Sequence, residues 1–146
     1  MINHSLTDVL HLTQRAITRS PYLQLIGLKA NVDAQGIYYH LPFAEHNIGN
    51  ASLPALHGGA IAALLEGAGL IDTQMALLEK QHQTRAKPVN YAVDYLRSAK
   101  AVDTFARTQI TRMGLRVIRL SVHAWQSHES QPIAIAKAHL LIDGAD

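Results

Sequence analysis

The most constraining feature of this sequence is the stretch 58–71, GGAIAALLEGAGLI, in which Glu66 is the only ionisable residue. Read as a helix, this stretch is apolar on every side, and a helix without a polar face has to be buried. The residues that follow, up to Lys80, become amphipathic and return to solvent. The sequence therefore predicts one long helix from about Gly58 to Lys80, with the rest of the chain folded around it.

The segment before this helix predicts a short helix and two strands. Ser5-x-x-Asp8 has the form of a capping box, and the helix that it starts should end before Pro21. We predict strands over 22–32 and 37–43, separated by a turn at 33–36 that contains Gly36. Residues 44–56 carry asparagine, glycine and proline and are predicted to be a loop.

Four strand-like segments follow the long helix, at about 89–98, 103–113, 116–127 and 133–142. In the last one, Ala134, Ala136 and Ala138 share a face, and this row of small side chains would let the helix approach closely. The short connections favour antiparallel neighbours. The predicted fold class is α+β, with a curled antiparallel β-sheet wrapped around one long central helix.

Composition limits the class of protein. The chain has 146 residues and no cysteine, which predicts a single domain over 1–146 and excludes disulfides, thiolate metal sites and a cysteine nucleophile. The start lacks a basic segment followed by an apolar run, and we expect a cytoplasmic protein without a membrane partner. Aromatic residues make up 5%, and no nucleic-acid-binding motif is present. The nine histidines are scattered, and we expect no metal or other cofactor.

Positive charge is concentrated in residues 80–119, which hold nine lysines and arginines but only two acids, Asp94 and Asp103. A basic region of this kind suits an anionic partner. Solvated outer faces of strands explain the same pattern equally well. The charge distribution alone does not choose between the two interpretations.

The start of the long helix has the composition of an oxyanion site. Gly58 and Gly59 follow His57 directly. The first N–H groups of a helix have no internal partner and lie at the positive end of its dipole. Glycine also lets a ligand approach the backbone closely. The pattern predicts a site for a carbonyl oxygen that gains negative charge during acyl transfer.

Glu66 is the second candidate for chemistry. An isolated carboxylate among apolar residues is costly to bury, so it is a candidate general base or nucleophile. The alternative is that Glu66 lies at the rim of the helix and contacts water. Gly58 and Glu66 are eight residues apart, ~12 Å along the axis. If both act on one carbonyl, a two-fold dimer with Gly58 from one chain and Glu66 from the other is the simplest arrangement.

The residues His57-Gly58-Gly59, with a carboxylate nine positions after the histidine, resemble the hotdog-fold acyl-CoA thioesterase superfamily. The closest type is that of 4-hydroxybenzoyl-CoA thioesterase and the PaaI-like phenylacetate-degradation proteins. The stretch 93–99, VDYLRSA, resembles the strand after the helix in that family, and the resemblance extends over about 20–142. It implies a hotdog fold, hydrolysis of acyl-CoA without a further cofactor, and a homodimer or homotetramer whose active site is shared between subunits.

The resemblance also implies catalytic roles for individual residues. The Gly58 N–H would polarise the thioester carbonyl, and Glu66 would attack it or activate water. His57 and a preceding asparagine would position the thioester or the water. Relatives carry this asparagine six residues before the histidine. That position is alanine here, so Asn50 takes the assignment, with Asn47 and Ser52 as alternatives.

A further set of residues is assigned to substrate binding by the same resemblance. Asn90 would replace a serine or threonine that relatives have early in the next strand. Basic residues near 112–116 would meet the phosphates of CoA. The residues assigned to substrate binding are Gly59, Asn90, Arg112, Gly114 and Arg116.

Two other functions remain open from the sequence. One is a hotdog hydratase or dehydratase of enoyl thioesters, which usually needs a histidine near the acyl β-carbon. The other is a non-catalytic acyl-CoA-binding protein, which would keep the glycines and basic residues but would not need Glu66. Thioester turnover distinguishes these functions better than binding does.

Overall fold

The structure is a computed structural model that describes residues 5–144. Its helices are α1 (Leu6–Thr18), α2 (Pro21–Ile26) and α3 (Gly58–Glu79), with a 3-10 turn at Glu45–Asn47. Its strands are β1 (Lys29–Asp33), β2 (Gly36–Leu41), β3 (Ile48–Asn50), β4 (Ala55–Leu56), β5 (Ala86–Tyr95), β6 (Thr104–Met113), β7 (Val117–Trp125) and β8 (Ala134–Ile142).

Six strands form one antiparallel sheet in the order β1-β2-β6-β7-β8-β5, and β3 pairs with β4 in a separate short hairpin. Helix α3 packs against one face of the large sheet, and the core lies between them. The predicted fold class is therefore confirmed: a long helix is enclosed by an antiparallel sheet. Strand β5, which directly follows α3 in the chain, forms one edge of the sheet.

Helix α3 is buried because its apolar residues occupy nearly its whole circumference. Leu64, Leu65 and Ala68 are fully buried, and the predicted row of alanines on β8 is buried on the sheet face beneath the helix. By length and hydropathy, α3 is the one helix within residues 5–144 that would suffice to cross a membrane. More than half of its most apolar stretch is buried inside the protein.

The strand predicted over 22–32 is wrong in its first half, because residues 21–26 form helix α2. The Ser20 side chain caps this helix by accepting a hydrogen bond from the Leu23 N–H, and Pro21 occupies its first turn, where proline is tolerated. Gly27 ends the helix in the left-handed conformation, with φ of 83°. The strand begins only at Lys29 and pairs with β2 through the predicted turn.

The predictions for the other elements agree with the structure to within a few residues. The Ser5 capping box is formed and starts α1, and α3 begins at Gly58 as predicted. The last four strands begin and end within about three residues of the predicted bounds. The segment predicted as a loop contains the β3–β4 hairpin, which brings residues 47–50 against the start of α3.

Candidate active site

The first turn of α3 is held by His57, which caps the helix. Its ring Nδ1 accepts a hydrogen bond from the Gly59 backbone N–H at 2.9 Å. The backbone N–H of His57 donates to the Asn47 carbonyl at 2.7 Å. A Cβ on Gly59 would lie 2.8 Å from His57 Nδ1, so this cap requires glycine at position 59. Since Nδ1 is the acceptor, the proton of the neutral ring lies on Nε2, which is left as a donor.

The Gly58 N–H has no hydrogen-bond acceptor among residues 5–144. It lies at the N-terminal end of a helix that runs to Glu79, where the dipole favours negative charge. The neighbouring Gly59 N–H is already engaged by His57. Of the two glycines, Gly58 is thus the one whose N–H is available to an oxygen that gains negative charge.

Tyr95 fixes the position of Gly58 from the sheet side. Its hydroxyl donates a hydrogen bond to the Gly58 carbonyl at 2.7 Å, and a Cβ on Gly58 would lie 3.4 Å from its ring. Gly58, Ile61, Tyr95 and Arg97 line an open cleft of 440 Å³ at this end of the helix. The cleft leaves room for a substrate beside the Gly58 N–H.

Glu66 lies two turns further along α3, and its side chain is exposed in the single chain. The interpretation that Glu66 contacts water therefore holds for the isolated subunit. Beside it, the Tyr91 hydroxyl donates to the Leu65 carbonyl at 2.5 Å. Burial and the nearby Glu66 carboxylate raise the pKa of Tyr91 well above its usual range, so this hydroxyl keeps its proton. The structure does not bring Glu66 to Gly58 within one chain, because ~12 Å of helix separates them.

The three candidates for the supporting polar residue lie in different surroundings. Asn47 is buried beside His57, and its side-chain amide donates to the Ile26 carbonyl at 3.0 Å. Asn50 is exposed and accepts a hydrogen bond from the Ser52 N–H in a local turn. Asn47 and His57 line the same hollow, so within the chain Asn47 is the candidate that accompanies His57.

The residues predicted to bind substrate do not all come together. Asn90 pairs with His139 on the face of the sheet that points away from α3, so it lies apart from Glu66 and Gly58 within the chain. Arg112 and Gly114 line a cleft of 550 Å³ at the other end of α3, and Arg116 is exposed nearby. A Cβ on Gly114 would lie 2.6 Å from the Val117 carbonyl oxygen, so the β6–β7 turn itself requires this glycine.

Some basic side chains of residues 80–119 form ion pairs with acidic residues, and others line a cleft where they can meet an anionic ligand. Arg107 binds both carboxylate oxygens of Asp33, at 2.7 and 3.2 Å, and also contacts Glu129 at 2.9 Å. Lys87 pairs with Asp143 at 2.8 Å. Lys80 and Arg112 line the 550 Å³ cleft instead, together with His82. Within residues 5–144, no group of three histidine or acidic side chains could hold a metal ion.

Sequence reasoning missed the two tyrosines of β5 and the cations that join Arg112. Tyr91 and Tyr95 are four residues apart on β5, and both bind carbonyl groups of α3. Two tyrosines four residues apart lie on the same face of a strand, and this spacing could have predicted that both contact the helix. The contributions of Lys80 and His82 follow from the end of α3 meeting the β6–β7 turn, which the sequence alone does not reveal.

Comparison with known proteins identifies the fold and the proteins that this chain resembles. No family model and no curated protein matches the chain. A solved structure from Chromobacterium violaceum is 31% identical, with 96% of this chain and 99% of that one covered and a TM-score of 0.70. A protein of the thioesterase superfamily is 25% identical, with 92% and 98% covered and a TM-score of 0.77. A phenylacetic acid degradation-related protein from Ralstonia eutropha shares the fold at 18% identity, with 89% and 98% covered and a TM-score of 0.71.

These similarities and the enclosed helix define a hotdog-fold protein. The chain is similar to proteins of the thioesterase superfamily, as the residues around His57 predicted. This similarity supports thioester hydrolysis as the general activity.

Proposed function

We propose that this protein hydrolyses acyl-CoA thioesters to a free acid and CoA. The observation that carries the proposal is the unpaired Gly58 N–H, which Tyr95 and the His57 cap hold at the positive end of a 22-residue helix. A donor held in place in this way is suited to the oxyanion that forms when a thioester carbonyl is attacked. Removing such a donor typically costs ~10²–10³-fold in turnover.

The attack requires a base or a nucleophile, and Glu66 is our candidate. As a base, Glu66 would take a proton from water while the water oxygen bonds to the carbonyl carbon. As a nucleophile, its carboxylate would form an anhydride with the acyl group, which water then hydrolyses. In both routes the C–S bond breaks and CoA leaves as a thiolate, which is then protonated. The Nε2 proton of His57 is available to orient the thioester or the water.

The distance along the helix favours a site that is shared between two subunits. If Gly58 and Glu66 act on one thioester, the simplest arrangement is a pair of antiparallel α3 helices related by a two-fold axis, so that Gly58 of one chain meets Glu66 of the other. We therefore propose a homo-oligomer in which each site takes the oxyanion donor from one chain and the carboxylate from its partner. The exposure of Glu66 in the single chain is consistent with a site that is completed by the partner.

The cleft lined by Lys80, His82 and Arg112 is our candidate for the CoA phosphates. Lys80 follows Glu66 by fourteen residues, which is ~21 Å along the axis and within ~40° around it. The pantetheine arm has about as many backbone bonds as four residues of extended chain, ~14 Å, and the diphosphate adds to this length. From Gly58 the same cleft is ~33 Å away, so we assign the nucleotide to the subunit that supplies Glu66.

The test is release of thiol from acyl-CoA by the wild type and by Glu66→Gln. The protein has no cysteine and adds no thiol background. We expect turnover to fall ~10²–10⁴-fold, while CoA binding and the melting temperature stay close to wild type. Glu79→Gln is the matched control, since Glu79 is exposed at the far end of the same helix. A wild type that binds acyl-CoA without turnover, or a variant within a few-fold of wild type, would contradict the proposal.

A further inference from the structure

Helix α2 borders a groove on the face of α3 that carries Glu66. The groove consists of two hollows of 250 and 150 Å³, and Tyr22 lines both of them. The first hollow also includes Ala63, Glu66 and Leu70, and the second includes Leu25. The groove therefore passes directly by the carboxylate that the proposed reaction uses.

The floor and the wall of this groove have different characters. Small residues of α3, among them Ala63, form the floor, and a Cβ on Gly67 would lie 2.9 Å from the Leu23 side chain, so glycine lets α2 lie close. The wall consists of Tyr22 and Leu25, which are 51% and 64% exposed. The second hollow is closed at its far end by the polar side chains of His46, Asn47 and His57. Large apolar side chains left exposed beside a carboxylate mark a surface that gains from covering by an apolar ligand.

The positions of the basic cleft and of Glu66 along α3 indicate which way a bound acyl group would extend. The basic cleft at Lys80 lies toward the C-terminal end of the helix, and Glu66 lies in the middle. A thioester that has its nucleotide in that cleft and its carbonyl at Glu66 must extend its acyl group toward the N-terminal end. Leu25 and Ala60 lie on that side, within the second hollow.

We propose that the groove between α2 and α3 binds the acyl group of the thioester, and that Tyr22 and Leu25 determine which acyl groups fit. This inference rests on the proposed function. The path from Glu66 to Ala60 spans six residues, ~9 Å, which accommodates an apolar chain of roughly seven carbons at ordinary bond lengths. The substrate class is thus acyl-CoA with an apolar acyl group of medium length.

The experiment compares kcat/KM for acetyl-CoA and octanoyl-CoA in two variants that change the groove in opposite ways. Leu25→Ala removes part of the wall, and we expect the octanoyl-to-acetyl ratio to fall about 5-fold through lost apolar contact. Ala63→Leu fills the floor with a good helix former, and we expect the octanoyl-to-acetyl ratio to fall at least 10-fold, because the longer acyl group needs the space that leucine takes. Leu53→Ala is the control, because Leu53 is 69% exposed and does not line the groove.

The possible outcomes distinguish an error in the assignment of the groove from an error in the proposed reaction. Hydrolysis by the wild type with an unchanged ratio in both variants would refute the groove and leave the proposed function intact. A wild type that releases no thiol from any acyl-CoA would refute the proposed function and this inference with it. A wild type that prefers acetyl-CoA to octanoyl-CoA would also overturn the assignment of substrate class.

Discussion

Replacing Asp72 by asparagine should stabilise the protein at neutral pH. Asp72 lies on α3, and its carboxylate accepts a hydrogen bond from the hydroxyl of the fully buried Tyr39 at 2.6 Å. Burial raises the pKa of Asp72 from 3.8 to about 6, although the hydrogen bond from Tyr39 and the charge of Arg107 act in the opposite direction. The folded protein therefore holds this proton more tightly than the unfolded chain does.

The sign of the pH dependence follows from this difference. Between pH 3.8 and about 6 the folded state binds more protons at Asp72 than the unfolded state, so this group's contribution to stability falls as the pH rises. Below pH 3.8 the contribution is fully present, and above pH 6 it has been lost. The change in pKa corresponds to about 3 kcal/mol, which is an upper value because Asp72 is only partly shielded from solvent.

The assay is thermal unfolding of Asp72→Asn and wild type at pH 4 and pH 7.5, at one protein concentration because oligomers gain stability by mass action. Asparagine keeps an acceptor for Tyr39 without a charge to bury. We expect about 1–3 kcal/mol of stabilisation at pH 7.5, or roughly 3–10 °C in Tm, and little difference at pH 4. Asp103→Asn is a control with the opposite sign: hydrogen bonds from Phe43 and His40 lower the pKa of Asp103, so the loss of its charge should destabilise the protein at pH 7.5. Equal effects of Asp72→Asn at both pH values would refute the reasoning.

Two further substitutions test the packing around α3. Gly69→Ala places a methyl group 2.9 to 3.2 Å from side chains of β5 and β7. We expect the free energy of unfolding, measured in urea, to fall by about 1–3 kcal/mol. Unchanged stability would mean that the helix lies less close to the sheet. Tyr95→Phe removes the hydrogen bond to the Gly58 carbonyl, and we expect about 0.5–1.5 kcal/mol of destabilisation. Its kcat should fall more than its KM rises, whereas an unchanged kcat would exclude Tyr95 as a positioning residue.

The sequence predicts those elements in which the spacing of apolar residues fits a helix or a strand but not both. The helix from Gly58 was predictable because no other buried structure suits so long an apolar stretch, and the later strands followed from alternation. Helix α2 was missed because apolar residues from Tyr22 onward suit a strand equally well. The capping signals at Ser20, Pro21 and Gly27 identify the helix once they are weighed together.

The candidate site was predictable only where a local pattern carries the chemistry. His57, Gly58 and the helix start form one continuous pattern, and the structure gives each a defined hydrogen-bonding state. Tyr95 reaches Gly58 from thirty-seven residues away, through the register of β5 with β8. Asn90 could not be assigned to a face from the sequence, because an irregularity between Pro88 and Asn90 shifts the register.

The central claim is that one active site combines Gly58 of one subunit with Glu66 of another, and co-assembly of two inactive variants tests it most directly. Gly58→Pro removes the N–H at the first position of α3, where proline is tolerated; Gly58 has no positive φ, and His57 has the extended backbone that precedes proline. We expect Gly58→Pro and Glu66→Gln each to be inactive alone. Heterodimers isolated through two different tags should recover about half of the wild-type thioesterase rate, because two-fold symmetry gives each one intact site. Heterodimers that form, as native mass spectrometry would show, but remain as inactive as the parents would contradict the shared site.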